Sequence, residues 1–187
     1  MPVLAFISSV FFLGTIVVSH CLKKDISFKK DALSKFALGR YGFVLSLGLY
    51  SIGLAEIVLA FILFTEFGSL LGTSSLAAAG VGSVMVAMFK MEQPKETLRG
   101  YLHVTGAVVQ FFAFPLALIL LADYVHGGLL YIFTLATCTL NIFLFSWIMI
   151  YVVAGTEHSV PFFGLIQKIN IILMTAWVLL VSFTYIQ

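Results

Sequence analysis

Charge is what this sequence has least of. Lysine, arginine, aspartate and glutamate together make up 10% of its 187 residues, against about 25% in a soluble domain. That scarcity excludes a water-covered globular surface. Cysteine is nearly absent too. Cys21 and Cys138 are the only two, they share no C-x-x-C spacing, and neither a disulfide scaffold nor a thiolate metal site can be built from them. No H-E-x-x-H, G-x-S-x-G or G-x-x-x-x-G-K-[ST] occurs, so the zincin, hydrolase-elbow and P-loop chemistries lack their signatures. No lysine lies deep in an apolar segment, which excludes a retinal Schiff base. The formal net charge is only +2. Its basic residues cluster at segment edges, so no nucleic-acid partner is expected.

What is present is apolar length. Hydrophobic residues make up 61% of the chain, with mean hydropathy +1.13. A helix needs roughly 20 apolar residues to cross the hydrocarbon core. Six segments reach that length, at about 2–22, 41–65, 68–90, 101–124, 127–153 and 163–186. The expected fold is all-α: a single polytopic membrane domain over residues 1–187, an antiparallel bundle of six transmembrane helices. The first segment has no basic n-region and no A-x-A-like cleavage site, so an uncleaved span is expected.

All ten lysines and arginines fall in or at the edges of the first, third and fifth gaps. Short basic loops stay cytoplasmic. Both termini are therefore expected outside, in a bacterial inner membrane. The first gap is the longest. Leu33, Phe36 and Ala37 recur there at helical spacing among lysines, which suggests a short interfacial helix or an ordinary polar loop.

Polar residues inside spans carry the functional argument, because hydrocarbon rejects them. Glu56 lies about 15 residues into the second span, roughly 22 Å along it. It shares a stripe with Gly42, Ser46, Leu49, Gly53 and Ala60, which aims it at the bundle interior. His103, Gly106, Gln110, Ala113 and Ala117 share a face of the fourth span. Thr134, Thr137, Cys138 and Asn141 share one on the fifth, and Gln167, Asn170, Met174 and Trp177 one on the sixth. A buried cluster of Glu56, Gln110 and Asn141 is expected near mid-membrane, extended inward by His103, Asn170 and Gln167. Interhelical hydrogen-bonding glue is the competing reading for each amide, at about 1 kcal/mol. A structural glutamate is the competing reading for Glu56.

Three functions compete. The first is a binding or transport-related protein that accepts a membrane lipid or small amphipathic molecule. The second is a redox protein holding haem between His20 and His103, against the favoured reading of two interfacial histidines. No other cofactor and no metal is expected, and no residue is assigned a catalytic role. The third is a subunit that docks a membrane-protein partner through Gly68, Gly72, Ser75, Ala79 and Gly82. Close packing within the bundle would use those small residues equally well. His126 and His158 are expected in solvated loops.

Three stretches carry a resemblance. Leu33-Ser34-Lys35-Phe36-Ala37-Leu38-Gly39-Arg40-Tyr41-Gly42 resembles an S-x-x-A-L-G-x-x-G entry into a second span. Phe89 through Pro94 to Gly100-Tyr101-Leu102-His103 is similar to an acidic, proline-containing loop followed by G-x-L-H. Gly164-Leu165-Ile166-Gln167-Lys168 with Trp177 resembles G-L-x-Q-R and a downstream tryptophan. In this order they resemble the six-helix membrane family catalogued as domain of unknown function 998. This chain departs from the pattern at Gln93-Pro94, where Asp-Pro is more usual, and at Lys168, where arginine is. A loop acid with a chemical role would here have to be Glu92 or Glu96. The resemblance implies fold and topology and no enzyme class. It gathers Ser34, Arg40, His103, Gln167 and Lys168 on the cytoplasmic side, either as a polar vestibule or as helix-end anchors. Arg40, Arg99 and Lys168 are then candidates to bind a headgroup.

Overall fold

The computed structural model describes residues 1–91, 97–125, 128–153, 160 and 162–186. Six helices, each long and apolar enough to cross a membrane, account for most of them. They are α1 (Pro2–Leu22), α2 (Gly42–Phe67), α3 (Leu70–Met88), α4 (Leu98–Leu121), α5 (Gly128–Val153) and α6 (Phe163–Thr184). A 3₁₀ helix, Leu33–Ala37, lies between α1 and α2, and no strand occurs among the described residues. His126, His158, Glu92, Gln93, Pro94 and Glu96 lie outside the described residues.

The helix limits follow local chemistry. Pro2 opens α1, where a missing N–H costs nothing. Gly68 ends α2 with φ 65°, its N–H closing on Phe64 O at 2.9 Å. Thr97 starts α4 earlier than the apolar run does, because its Oγ1 accepts the Gly100 N–H at 3.0 Å.

Small residues set the packing. A Cβ on Gly53 would lie 2.7 Å from Gly80 O, and one on Gly80 would lie 2.7 Å from Gly53 O. The α2 and α3 backbones therefore touch directly. Gly82 and Gly106 do the same for α3 and α4. The small-residue face expected to suit a docking partner is in large part used inside the bundle. Gly72 abuts Leu121, Ala79 is fully buried, and Gly82 faces Gly106.

Consecutive helices pack on one another, and α6 returns to α1 and touches α2. Phe6 at the start of α1 meets Phe183 at the end of α6, with ring centroids 6.0 Å apart. Phe111 of α4 stacks on Phe145 of α5 at 5.3 Å. Trp177 of α6 meets Phe114 of α4 edge-on and donates its Nε1–H to Thr134 Oγ1 of α5 at 2.9 Å. Large apolar side chains such as Phe43, Phe61, Ile132 and Phe143 point outward, as a lipid-facing surface requires.

Candidate functional site

The site is built at the end of the bundle that carries the basic loops. The segment between α1 and α2 folds back beneath the helices as a strap. Within it, the Ser27 N–H donates to Asp31 Oδ2 at 2.7 Å, and Lys35 Nζ lies 2.5 Å from Asp31 Oδ1. The Lys23 ammonium donates to Leu38 O, which ties the end of α1 to the exit of the 3₁₀ helix. The strap is pinned to α6. Leu33 N–H donates to Gln167 Oε1 at 2.8 Å, and Leu165 N–H donates to Lys29 O at 2.9 Å. Lys168 Nζ donates to Phe28 O at 2.9 Å, Asp31 O at 2.7 Å and Gly164 O at 3.3 Å. Gly164 permits this approach, because its Cβ would collide with the Asp31 backbone.

Two expectations change here. The interfacial helix exists only as a 3₁₀ turn, and Leu33, Ser34, Phe36 and Ala37 are buried in the protein. Leu33 and Phe36 found a protein core to enter, so they do not rest on a membrane surface. Lys168, expected at the rim, is wholly buried with its three protons committed to backbone carbonyls. It anchors the strap and presents no charge to a headgroup.

Asp31 is held below the usual carboxylate range. Its partial burial alone would raise it. The Lys35 bond, the Ser27 N–H and the charges of Lys35 and Lys168 outweigh that. A lowered folded pKa contributes stability that is present above the ordinary aspartate pKa and lost as pH falls through the folded value. Asp31→Asn is accordingly expected to lower the unfolding temperature at neutral pH and to flatten its decline in acid. Thermal unfolding across an acid pH series checks this.

Above the strap lies a cavity of about 600 Å³. Its polar wall is formed by Lys23, Asp25, Lys30, Ser34, Lys35, Arg40 and Gln167, with His103 beside them. Its apolar wall is formed by Val104, Ala107, Val108 and Phe111 of α4 with Ile148 and Met149 of α5. Tyr41 stands at the rim with φ 65°, a left-handed conformation that is unfavourable for an aromatic residue. The Arg40 guanidinium lies 4.9 Å from the centre of its ring. His103 Nδ1 donates to Phe89 O at 2.6 Å, which fixes the ring from the end of α3.

The structure thus brings Arg40, His103 and Gln167 to one cavity. Arg99, exposed in the first turn of α4, does not line it. Glu56, Gln110, Asn141 and Asn170 are buried deeper and do not line it either. Glu56 Oε2 accepts from Ser83 Oγ at 2.9 Å, and its Oε1 has no partner. Gln110 sits where α4 crosses Gly82. Sequence reasoning did not single out Lys30, Lys35, Tyr41, Phe111, Ile148 and Met149 as lining residues. The lysine cluster in the first gap was the available signal, and it served there to set orientation and to suggest an interfacial helix near anionic headgroups.

The two histidines have different surroundings. His20 Nδ1 donates to Ile16 O at 2.7 Å, and its ring packs on Phe28 at 4.7 Å and Phe36 at 4.2 Å. His103 lines the cavity, whereas His20 does not. Among the described residues no group of three or more His, Cys, Asp or Glu is placed to hold a metal ion.

A six-helix bundle of membrane-spanning length with a largely apolar cavity, edged by charged side chains at its basic end, defines a class of small membrane protein. The chain belongs to the family described as Protein of unknown function (DUF998), whose model matches residues 6–184. No curated protein and no solved structure matches the chain.

Proposed function

We propose that this protein binds an amphipathic molecule, a membrane lipid or a lipid-like compound, in the cavity at its basic end. In this reading the six spans run antiparallel in a bacterial inner membrane. The basic end faces the cytoplasm, and both ends of the chain lie outside. The division of the cavity wall carries the proposal. The strap side contributes the charged residues, among apolar ones such as Ile26 and Leu38, and the other side is the apolar seam between α4 and α5. A space of about 600 Å³ is in the range that small-molecule sites occupy. Four cations line it against one lining carboxylate, Asp25, while Asp31 offsets Lys35. That balance favours an anionic headgroup, with Lys30 and Arg40 beside it and the hydrocarbon tail in the α4–α5 seam. The strained Tyr41 at the rim adds support, since such conformations persist where surrounding structure enforces them and cluster at binding sites.

Native mass spectrometry of protein extracted with its lipids tests the reading. A retained anionic lipid is expected on the wild type. It should be lost in Ala107→Trp, which fills the cavity, and weakened at least tenfold in the Lys30→Ala, Arg40→Ala double variant, about 1.4 kcal/mol or more. Equal retention of lipid by wild type and Ala107→Trp would overturn it.

A further inference from the structure

The chain contains two asparagines, Asn141 and Asn170, and both are wholly buried with neither amide atom hydrogen-bonded. Their positions are related. The Trp177–Thr134 bond fixes one point of the α5–α6 seam. Ile148 and Met149 near the end of α5 share a cavity with Phe163 and Gln167 at the start of α6, so the two helices run in opposite directions. Seven residues beyond Thr134 is Asn141, and seven before Trp177 is Asn170. Seven residues are nearly two full turns, about 10.5 Å along each axis. The two asparagines therefore return to the faces that Thr134 and Trp177 present to one another, at a common level.

Thr137, one turn from Asn141, is also buried, and its hydroxyl has no partner. Nearby threonines behave differently. Thr134, Thr139 and Thr175 each donate to the carbonyl four residues back, at 2.8, 2.9 and 2.8 Å. Five polar atoms within about one turn of this level of the seam thus go without partners. Two facing carboxamides can close on each other directly, and these do not. Leaving such groups unpaired away from water costs their full desolvation, and lipid supplies no partners.

The geometry points to a second site at this level of the α5–α6 seam, which holds a neutral O–H group between Asn141, Asn170 and Thr137. Two carboxamides offer donors and acceptors and no charge. A hydroxyl, which both donates and accepts, satisfies them, whereas an ion would lack a counter-charge. The O–H belongs to ordered water or to the hydroxyl of an amphiphile. Gln167 lines the cavity and Asn170 lies one turn further along the same face of α6, so the cavity is the way in. The site is independent of the headgroup reading, because a cavity empty of lipid still admits water.

Asparagine labelling with ¹⁵N reports these two side chains and no others. The labelled protein in bilayers of deuterated lipid is examined by solid-state NMR for magnetisation transfer from O–H protons to the side-chain amides. Transfer from water to both amides is expected at short mixing times. Adding dodecan-1-ol identifies the source. Loss of the water transfer, with new transfer from the alcohol, assigns the site to an amphiphile hydroxyl, and unchanged transfer assigns it to water. Thr137→Val, which keeps shape and removes the hydroxyl, should shift the Asn141 amide resonance and weaken its transfer. Amides dark to both water and alcohol, coupled only to each other and indifferent to Thr137→Val, would overturn the proposal. Lipid retention in the preceding experiment is read separately, so either idea can fail alone.

Discussion

Lys168→Met is expected to destabilise the protein by about 3 kcal/mol and to release the strap. The ammonium serves three backbone carbonyls, at Phe28, Asp31 and Gly164, with no exposure to solvent. Hydrogen bonds from a charged donor contribute about 1.5–3 kcal/mol each, and the cost of burying the charge offsets part of the total. Methionine fills similar volume and donates nothing. The Phe28 and Asp31 carbonyls then lose their tie to α6, and Phe28 and Phe36 lose the cation at 5.1 and 5.4 Å from their ring centres.

Lys168→Arg should recover most of the loss, because a guanidinium also serves several carbonyls. The motif that this stretch resembles carries arginine there. Two measurements check the pair: unfolding temperature in detergent, and tryptic cleavage at Lys24, Lys29 and Lys30 of the strap. The methionine variant should unfold at lower temperature and be cut faster. If it matched the wild type in both, the strap would be held by something other than Lys168.

The contrast between Lys168 and Glu56 shows which features a sequence displays. The six spans were legible because apolar length is a local property, and the structure moves their limits by at most three residues. The inward direction of Glu56 was legible as well, since Gly42, Ser46, Gly53 and Ala60 share its stripe and are buried with it. Asn141, Asn170 and Gln110 are buried for the same reason: a polar residue inside a span has one tolerable direction. Lys168 gave no such signal. Its partners are backbone carbonyls up to 140 residues away, and a carbonyl carries no sequence identity. Its basic charge was read as an orientation signal, which concealed its burial. The surroundings of His20 were equally illegible, because the phenylalanines that pack on it come from the strap. The cavity itself is a gap between α4, α5 and the strap, and gaps leave no mark on a helical wheel.

Gly82→Val should separate α3 from α4 and cost about 3 kcal/mol, at the upper end of what overpacking usually costs. A Cβ at Gly82 would lie 2.6 Å from Gly106 O and 2.7 Å from Gln110 N. Both are backbone atoms, so no side-chain rotation relieves the clash. Gly106 meets the reciprocal limit, its Cβ falling 2.7 Å from Met85 Cβ. Gly14 supplies the comparison within the same fold, since nothing lies within 4 Å of its Cβ position. Gly14→Ala should be neutral or stabilising by up to about 1 kcal/mol, the gain in helix propensity. Separation of α3 from α4 has a functional consequence, because His103 is held by Phe89 O at the end of α3 and Val104, Ala107, Val108 and Phe111 form the apolar wall. Gly82→Val should therefore lower the unfolding temperature and lose retained lipid together. If Gly82→Val unfolded like Gly14→Ala, the direct backbone contact between α3 and α4 would be ruled out as the determinant of that seam.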